Sequence, residues 1–461
     1  MQKPNLFDYR GGRVHIIGIC GASLCGVADM LLKEGFSVTG SDMKETIFTP
    51  HVKSLGVPFT IGHSVANVEG ADFVIHSAAV PETNVELAYA REQGIPVLER
   101  SEAVGQFLDT YENSISVTGC HGKTTISSLL GLMLLKGGLD PTIHVGGVLD
   151  YLGSSGTRVG DGNIMVLESC EYMNSFYNFR PRFAVLNNVD DDHLDFFKDM
   201  EDVYHSFETF VKNVHPDGIL FGCIDDPRVV KLLENSDRTT ITFGLSGGDY
   251  TAKDLEFDAV GCAAFTPVHN GEELPRVKIH LPGDYNVANA LGAMAVARHL
   301  GCPYEAISEA LEEYHAAERR FEFHGELDGV RVYHDFAHHP SAVKACMKAA
   351  SMFEYNKLWA VFQCNSYSRA YKLFDRFVEA FDPADTTIIA EIFPGREQDT
   401  GLVHGQQMAD AITARGGDGI YIADFVDIGK YLQAHWQPGD MVLMVGSGNI
   451  NEHVYKILEK Y

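Results

Sequence analysis

The chain has 461 residues, with 36 Lys and Arg against 63 Asp and Glu, so its formal net charge is −27 at pH 7. Its length corresponds to about three domains, and 45% hydrophobic with 21% charged residues is typical of globular proteins, which excludes disordered and collagen-like chains. A chain this acidic, without clustered Lys and Arg, is predicted to bind no nucleic acid.

Targeting and disulfide signals are both missing from the sequence. The first residues, MQKPNLFDYRGG, lack the apolar core of a signal peptide, and no apolar run approaches ~18 residues. We therefore expect a cytoplasmic protein with no membrane insertion. Nine scattered cysteines without a CxxC pair predict free thiols.

The first region, to about residue 108, alternates strand and helix patterns. RVHIIG, the helix-like SLCGVADMLLKEG and FSVTGSD predict a βαβ unit, and ADFVIHS and PVLER continue the alternation. This pattern indicates a doubly wound parallel sheet. Gly18, Gly21 and Gly26 follow the first strand and Asp42 ends the second, but the spacing is not GxGxxG. Either a phosphate or ribose site or close helix packing explains these glycines.

A stronger motif begins the second region. Thr118-Gly119-Cys120-His121-Gly122-Lys123-Thr124-Thr125 lies between a predicted strand and a predicted helix. Backbone N–H groups of such a loop bind phosphate oxygens, a Lys offsets phosphate charge and a Thr hydroxyl can bind Mg²⁺. Val117 replaces the first glycine of GxxxxGK[ST], so the loop has the shorter form GxxGKTT. We interpret it as a nucleotide phosphate loop rather than an ordinary turn.

Carboxylates follow two later strands of this region. Glu168 and Glu171 come after NIMVL, and the run Asp190-Asp191-Asp192-His193 follows FAVLNNV. The carboxyl ends of parallel strands are where ligands bind, and oxygen ligands suit Mg²⁺. Alone, the acidic run indicates a solvated turn with a helix cap; beside a phosphate loop it indicates a metal site.

The third region, from about residue 320, is predicted to be another α/β unit, with strands GVRVYHDFA, LWAVFQ, TTIIAEI, GIYIAD and DMVLMVG. Its HDFAHHP segment, Arg319-Arg320 and Arg369 indicate a site for an anionic substrate. Just before it, Asn286 and Asn289 begin a predicted helix, where a cap and a ligand contact are equally open interpretations.

Taken together, these residues resemble the Mur ligase family, the ATP-dependent amide ligases of bacterial cell-wall synthesis. The resemblance covers essentially the whole chain, because the family motifs occur in order: GICGASLCGVA, GSD, HSAA, TGCHGKTT, ESCE, NNVDDDHLD, PGDYNVANALGA, ERRFE, DFAHHP, SYSR and FPGREQDTG. FPGREQDTG and SYSR are most similar to the branch that adds L-alanine to UDP-N-acetylmuramate. A second branch, which reattaches recycled murein tripeptide, shares GICG and DFAHHP.

The resemblance implies an α/β protein of three domains. Residues 1–110 would form a Rossmann-like UDP-sugar-binding domain, 111–319 a P-loop-type ATP-binding domain and 320–461 a Rossmann-like amino-acid-binding domain. The implied partners are UDP-N-acetylmuramate, ATP and an amino acid, with Mg²⁺ as cofactor, in a monomer or homodimer. The carboxylate would form an acyl phosphate that the amine then attacks.

The resemblance also assigns roles by position. The residues with catalytic roles would be Lys123, His193, His338 and Arg369, and the last two would face the amino acid. Those for ATP are Gly119, Cys120, His121, Gly122, Lys123, Thr124, Thr125, Asn286, Asn289, Arg320 and Asp335. Those for Mg²⁺ are Thr124, Glu171 and His193, and those for the UDP sugar are Gly18, Gly21, Ser41, Asp42, Ser77 and Ala78.

Some positions depart from the family pattern. Cys170 replaces an aspartate, and Phe336, Ala337, Asn365 and Ser366 replace residues of the DDYGHH and HRYSR patterns. These changes bear on which amino acid is added. They also leave a non-catalytic nucleotide-binding relative as an alternative, and the first βαβ unit alone would fit a NAD-dependent oxidoreductase.

Overall fold

The computed structural model shows an α/β chain whose strands form three sheets, and it describes residues 3–153, 155–194, 196–315, 321–395, 397–399 and 401–460. The chain divides into two compact units. The first contains residues 1–189, 204–250 and 290–310, and the second contains residues 190–203, 251–289 and 311–461. Each unit is described by itself.

The first sheet, in the first unit, is fully parallel, which confirms the predicted doubly wound arrangement. Its strands are β1 (Arg13–Ile17), β2 (Ser37–Asp42), β3 (Phe59–Ile61), β4 (Phe73–His76) and β5 (Val97–Glu99). Its helices are α1 (Ala22–Lys33), α2 (Thr49–Ser54), α3 (Val65–Val68), α4 (Val85–Glu92) and α5 (Arg100–Leu108). The strand order is β3-β2-β1-β4-β5, so the order reverses beside β1, where ligands bind in such sheets.

The second sheet carries the phosphate-loop motif. In the first unit its strands are β6 (Asn113–Thr118), β7 (Thr142–His144), β8 (Thr157–Arg158), β9 (Ile164–Glu168), β10 (Phe183–Leu186), β11 (Ile219–Cys223) and β12 (Thr239–Phe243). Three helices accompany them: α6 (Lys123–Lys136), α7 (Met200–Asn213) and α8 (Pro227–Glu234). The order is β12-β11-β10-β6-β9-β7-β8, with only β8 antiparallel among these pairs. Strand β6 is therefore flanked by β9 and β10, whose carboxyl ends carry the acidic motifs.

Four strands that lie almost entirely in the second unit were not predicted. They are β13 (Tyr250–Phe257), β14 (Cys262–His269), β15 (Glu272–Glu273) and β16 (Val277–Pro282). Two helices come after these strands in the chain, α9 (Asp284–His299) and α10 (Tyr304–Glu313). Strand β14 pairs antiparallel with β15 and with β16. The sheet thus ends in an antiparallel section whose strands are partly exposed.

The third sheet confirms the predicted α/β unit. Its strands are β17 (Glu322–Leu327), β18 (Val330–Asp335), β19 (Leu358–Phe362), β20 (Thr386–Ile389), β21 (Gly419–Tyr421) and β22 (Met441–Val445). Its helices are α11 (Pro340–Ala350), α12 (Tyr367–Lys372), α13 (Phe374–Ala380), α14 (Gly405–Ala414), α15 (Phe425–His435) and α16 (Ile450–Ile457). The order is β17-β18-β22-β19-β20-β21, with β17 antiparallel. Every residue of β19 and β22 is buried, since hydrophobic clusters cover both faces of the sheet.

Two further expectations concern the whole chain. All nine cysteines are free thiols, which confirms the sequence prediction. Over the described ranges, the helices are too short or too polar to cross a membrane.

Candidate functional site

The loop after β6 turns sharply because two of its glycines have backbone angles that other residues rarely adopt. Gly119 has φ +139° and Gly122 has φ +81°. A Cβ on Gly119 would lie 3.0 Å from the Asn188 amide nitrogen, so a larger residue would push the loop away from the next strand. Gly122 then caps α6, whose first N–H groups point toward the loop.

Lys123 is the central cation of this loop. Its Nζ donates to Oε2 of Glu171 at 2.9 Å and to the carbonyl oxygen of Cys120 at 3.2 Å. The Glu171 side chain is fully buried and that of Lys123 is 12% exposed. Burial alone would lower the pKa of Lys123, but the Glu171 carboxylate and the other electronegative groups around the ammonium together raise it, so the ammonium keeps its charge.

Oxygen donors gather at the first turn of α6. The Thr124 hydroxyl donates to Oε1 of Glu168 at 2.7 Å, and Oε2 of Glu168 accepts from the Gly146 amide at 2.8 Å. Burial raises the pKa of the neighbouring Cys170 thiol to about 12, so that side chain stays neutral and adds no anionic ligand. Hydroxyl and carboxylate oxygens of this kind fit Mg²⁺.

The asparagines after β10 hold the phosphate loop in place. Oδ1 of Asn188 accepts from the His121 amide at 2.8 Å, and its Nδ2 donates to the His121 carbonyl at 3.0 Å. Asn187 donates to the same carbonyl at 3.0 Å. The sequence singled out this segment for its aspartates, whereas its asparagines are the residues that fix the loop.

The predicted UDP-sugar residues lie at the carboxyl ends of β1, β2 and β4. Gly18, with φ +93°, donates its amide to the Ser41 carbonyl at 2.7 Å. Oδ2 of Asp42 accepts from the Cys20 amide at 2.9 Å, so the turn after β1 is bonded to the end of β2. Gly21 caps α1, and the Ser77 amide is bonded to the Ile17 carbonyl at 3.1 Å, with Ala78 next to it. The structure therefore brings these residues together at one edge of the sheet.

Glu86 is a buried carboxylate that sequence reasoning missed. It is fully buried, and it accepts from the Ser41 hydroxyl, from Nδ2 of Asn67 at 2.6 Å and from the Ser64 amide at 3.1 Å. Nδ1 of His63 lies 3.1 Å from Oε2 of Glu86. Burial would raise the pKa of Glu86, but its hydrogen bonds lower it to about 2. Its place in the ordinary helical sequence VELAYA gave no signal of these contacts.

In the second unit, the acidic run after β10 is paired with arginines. Asp192 lies 3.0 Å from Nη2 of Arg369, and their side chains are 4% and 12% exposed. Asp191 pairs with Arg376, which sequence reasoning did not identify. These two aspartates are therefore ion-paired and not simply solvated.

The predicted histidines surround the same pair. Burial lowers the pKa of His338 to about 3, with Arg369 adding to the effect, so its imidazole is neutral at pH 7. His339 lies 3.3 Å from Asp190 and from Asp191, and it caps α11. His193 adopts φ +53°. Burial would raise the pKa of Asp192, but the neighbouring cationic groups, His193 and Arg369 among them, lower it well below its ordinary value.

The remaining predicted residues are placed as follows. Asn286 donates to the Pro282 carbonyl at 2.8 Å, and Asn289 donates to the Asn286 side chain at 3.0 Å, so both buried amides stabilise the start of α9. Asp335 accepts from the Phe321 amide at 2.8 Å and the Ala337 amide at 2.7 Å. Arg320 lies outside the described residues.

Known proteins match nearly the whole chain. Family models described as "Mur ligase family, catalytic domain", "Mur ligase middle domain" and "Mur ligase, glutamate ligase domain" match residues 13–112, 117–297 and 319–448. A UDP-N-acetylmuramate--L-alanine ligase of Acetivibrio thermocellus is 41% identical over 99% of this chain and 96% of its own. Another, from Caldanaerobacter subterraneus subsp. tengcongensis, is 40% identical over 97% of both chains.

Solved structures show the same architecture. The UDP-N-acetylmuramate-alanine ligase of Thermotoga maritima superposes with a TM-score of 0.80 at 25% identity, over 97% of this chain and 98% of its own. A murein peptide ligase from Psychrobacter arcticus superposes with a TM-score of 0.70 at 23% identity, over 98% and 99%. The similarity to the Psychrobacter arcticus structure shows only that the two folds are the same.

Proposed function

The chain belongs to the Mur ligase family, and on that premise we propose that it is an ATP-dependent ligase that joins L-alanine to the carboxylate of UDP-N-acetylmuramate in peptidoglycan synthesis. The observation that carries the proposal is the Lys123–Glu171 pair of the phosphate loop, in a chain similar to such ligases along its full length. The NAD-dependent alternative explains only the first sheet, so we set it aside.

The proposal assigns one ligand to each domain. Residues 1–110 would bind the UDP sugar at the turn containing Gly18 and Asp42, 111–319 would bind ATP and 320–461 would admit the amino acid. Cytoplasmic location follows from the use of ATP and a nucleotide sugar. As ATP, a UDP sugar and a phosphorylated intermediate are all anionic, a chain of charge −27 must provide local cations, and Lys123 and Arg369 are two of them.

Mg²⁺ fits the oxygen donors of the phosphate loop. Thr124, Glu168 and Glu171 would hold it. The family resemblance implies that His193 helps to hold a second Mg²⁺. When bound, Mg²⁺ offsets phosphate charge during phosphoryl transfer.

In the first half-reaction, the muramoyl carboxylate attacks the γ-phosphorus of ATP and ADP leaves. Lys123 would stabilise the charge that develops on the β- and γ-phosphate oxygens. Its contact with Glu171 orients the ammonium before ATP binds, while Asn188 fixes the backbone amides that receive the phosphates. The residues of the chain thus position reactants and offset charge.

In the second half-reaction, the amine of the amino acid attacks the acyl carbon and phosphate leaves. We assign the proton of His338 to Nδ1, because Nδ1 lies 3.0 Å from the Phe336 carbonyl oxygen, which can only accept. Nε2 then carries a lone pair that can accept a hydrogen bond from the amine and orient it, since an imidazole with a pKa of about 3 is too weak a base to deprotonate an ammonium. Arg369 would bind the carboxylate of the amino acid.

A substrate panel tests the proposal. The purified chain is supplied with ATP, Mg²⁺ and UDP-N-acetylmuramate, and with L-Ala, Gly, L-Ser or murein tripeptide, while ADP release and product mass are measured. We expect L-Ala to give the highest kcat/KM and a product carrying one alanine. A product formed only from the tripeptide would identify a recycling ligase instead. Nucleotide binding without ADP release for any acceptor would identify a non-catalytic relative.

A further inference from the structure

Two histidines and a glutamate, none of which has a role in the proposed ligase reaction, meet on the hairpin of β17 and β18. Glu322 and His334 are direct partners in the antiparallel register. His324 lies two residues after Glu322, where the register shifts between Phe323 and Gly325. One ligand atom from each of the three side chains lies within 4.8 Å of the other two.

These side chains are largely removed from water. His334 is fully buried, the His324 side chain is 7% exposed and the Glu322 side chain is 33% exposed. Nε2 of His324 is buried without a hydrogen bond to any residue that the structure describes, and Oε2 of Glu322 lies 3.5 Å from it. A buried ring nitrogen in this position is destabilising unless another partner binds it.

The surroundings orient both rings. Tyr455 of α16 packs edge-on against His324, with ring centroids 5.2 Å apart. Nε2 of His334 lies 3.4 Å from the Gly446 carbonyl oxygen, which can only accept, so we assign the His334 proton to Nε2. Nδ1 of His334 then carries the lone pair, and the carbonyl on the other side of the ring resembles the outer contact of metal-bound histidines.

We propose that Glu322, His324 and His334 form a binding site for a divalent transition metal, with Zn²⁺ as the best fit. Two neutral imidazoles and one carboxylate are a common zinc ligand set, with the fourth position left for water. Mg²⁺ prefers oxygen ligands, so this site differs chemically from the one at Thr124 and Glu171. Because Glu322 and His324 lie on β17 and His334 lies on β18, the metal would link the edge strand β17 to its neighbour.

Metal binding by the full-length protein tests this site. After chelator treatment and dialysis, Co²⁺ is titrated as a spectroscopic probe and bound Zn²⁺ is measured by equilibrium dialysis. We expect one metal per chain, tetrahedral Co²⁺ absorption without a thiolate charge-transfer band, and at least tenfold weaker binding in His324→Gln and in His334→Asn. His435→Gln, which changes an exposed histidine on α15, should leave binding unchanged.

Three results would overturn the proposal. They are the failure of the wild-type chain to bind stoichiometric metal, undiminished binding by His324→Gln, and a thiolate band that disappears in Cys170→Ser. To exclude misfolding, the melting temperature of each variant is measured with and without Zn²⁺. The wild-type melting temperature should rise with Zn²⁺ and that of His324→Gln should not, while the two should agree closely without metal.

Discussion

Nζ of Lys123 lies 2.9 Å from Oε2 of Glu171. Lys123 begins the helix after β6, and Glu171 lies in the loop after β9, the strand that pairs with β6. The Glu171 side chain is fully buried, so the carboxylate depends on this ammonium for compensation. The same ammonium is the group that we propose to contact the phosphates of ATP. On this proposal Lys123 has two roles, in stability and in catalysis, and substitutions can separate them.

We expect Lys123→Met to reduce kcat at least 10²-fold and to destabilise the protein by about 3 kcal/mol, because it removes a phosphate contact and leaves Glu171 buried without its cation. The double variant Lys123→Met with Glu171→Gln should regain most of the stability but none of the activity. ADP release and urea unfolding measure the two effects. Substantial ligation by Lys123→Met would contradict the assignment.

A lysine on the same helix provides the matched control. Lys136 ends α6 and pairs with Glu309, whose side chain is 66% exposed. The Lys136 side chain is 16% exposed, but its partner is open to solvent, and ion pairs with a solvated partner contribute about 1 kcal/mol or less. Lys136→Met should therefore change neither kcat nor the unfolding midpoint appreciably.

The Asp192–Arg369 pair gives a second prediction. If Arg369 binds the carboxylate of the amino acid, Arg369→Ala should raise the KM for the amino acid at least tenfold and destabilise the protein, because Asp192 is 4% exposed. Asp192→Asn should leave that KM unchanged or lower it, since the guanidinium no longer has a competing carboxylate. Steady-state kinetics at saturating ATP measure both. Equal increases in KM in the two variants would show that the pair has only a structural role.

Glu86 gives a prediction about pH. Its folded-state pKa of about 2 lies below the ordinary value of 4.5, so its contribution to stability is complete above about pH 4.5 and is lost as the pH falls toward 2. This difference in pKa corresponds to a contribution of at most about 3 kcal/mol to the free energy of unfolding. Glu86→Gln should therefore unfold more easily at pH 7 and show a flatter dependence of unfolding free energy on pH between about 4.5 and 2.

The control for Glu86 is a glutamate outside the buried cluster. Glu82 is 67% exposed and pairs with Arg91 on the surface. Glu82→Gln should change the unfolding free energy by less than about 0.5 kcal/mol and keep the wild-type pH dependence. If Glu86→Gln behaved in the same way, the hydrogen bonds to Ser41 and Ser64 would not be stabilising the first sheet.

The fold was predictable wherever a strand is buried on both faces. Strands such as β19 and β22 are continuous apolar runs between helical patterns, and their parallel pairing follows from that alternation. By contrast, only one residue of β13 is fully buried and β15 has only two residues, so neither has a periodicity that a sequence can reveal. Their pairing depends on tertiary contacts.

The site was predictable in its residue types but not in its partners. The spacing of the loop singled out Lys123, strand ends singled out Glu171, and the structure places the two in contact. Residues 192 and 369 are 177 positions apart, and no local pattern indicates that they form an ion pair. Glu86 was missed for the same reason, because its hydrogen-bond donors come from β2 and from the segment around α3.

Cys170 gives the last prediction, because it places a neutral thiol where the family pattern has an aspartate. Its pKa is raised to about 12 by burial, so it provides no charge beside Glu171. Cys170→Asp would add a carboxylate near Lys123 and strengthen the oxygen ligand set, so we expect the Mg²⁺ concentration for half-maximal ADP release to fall several-fold. Cys170→Ser, which is similar in size and neutral, should leave that concentration unchanged. Equal Mg²⁺ dependence in Cys170→Asp and Cys170→Ser would mean that the carboxylate at this position does not contribute to metal binding, and that Glu171 and Thr124 are sufficient.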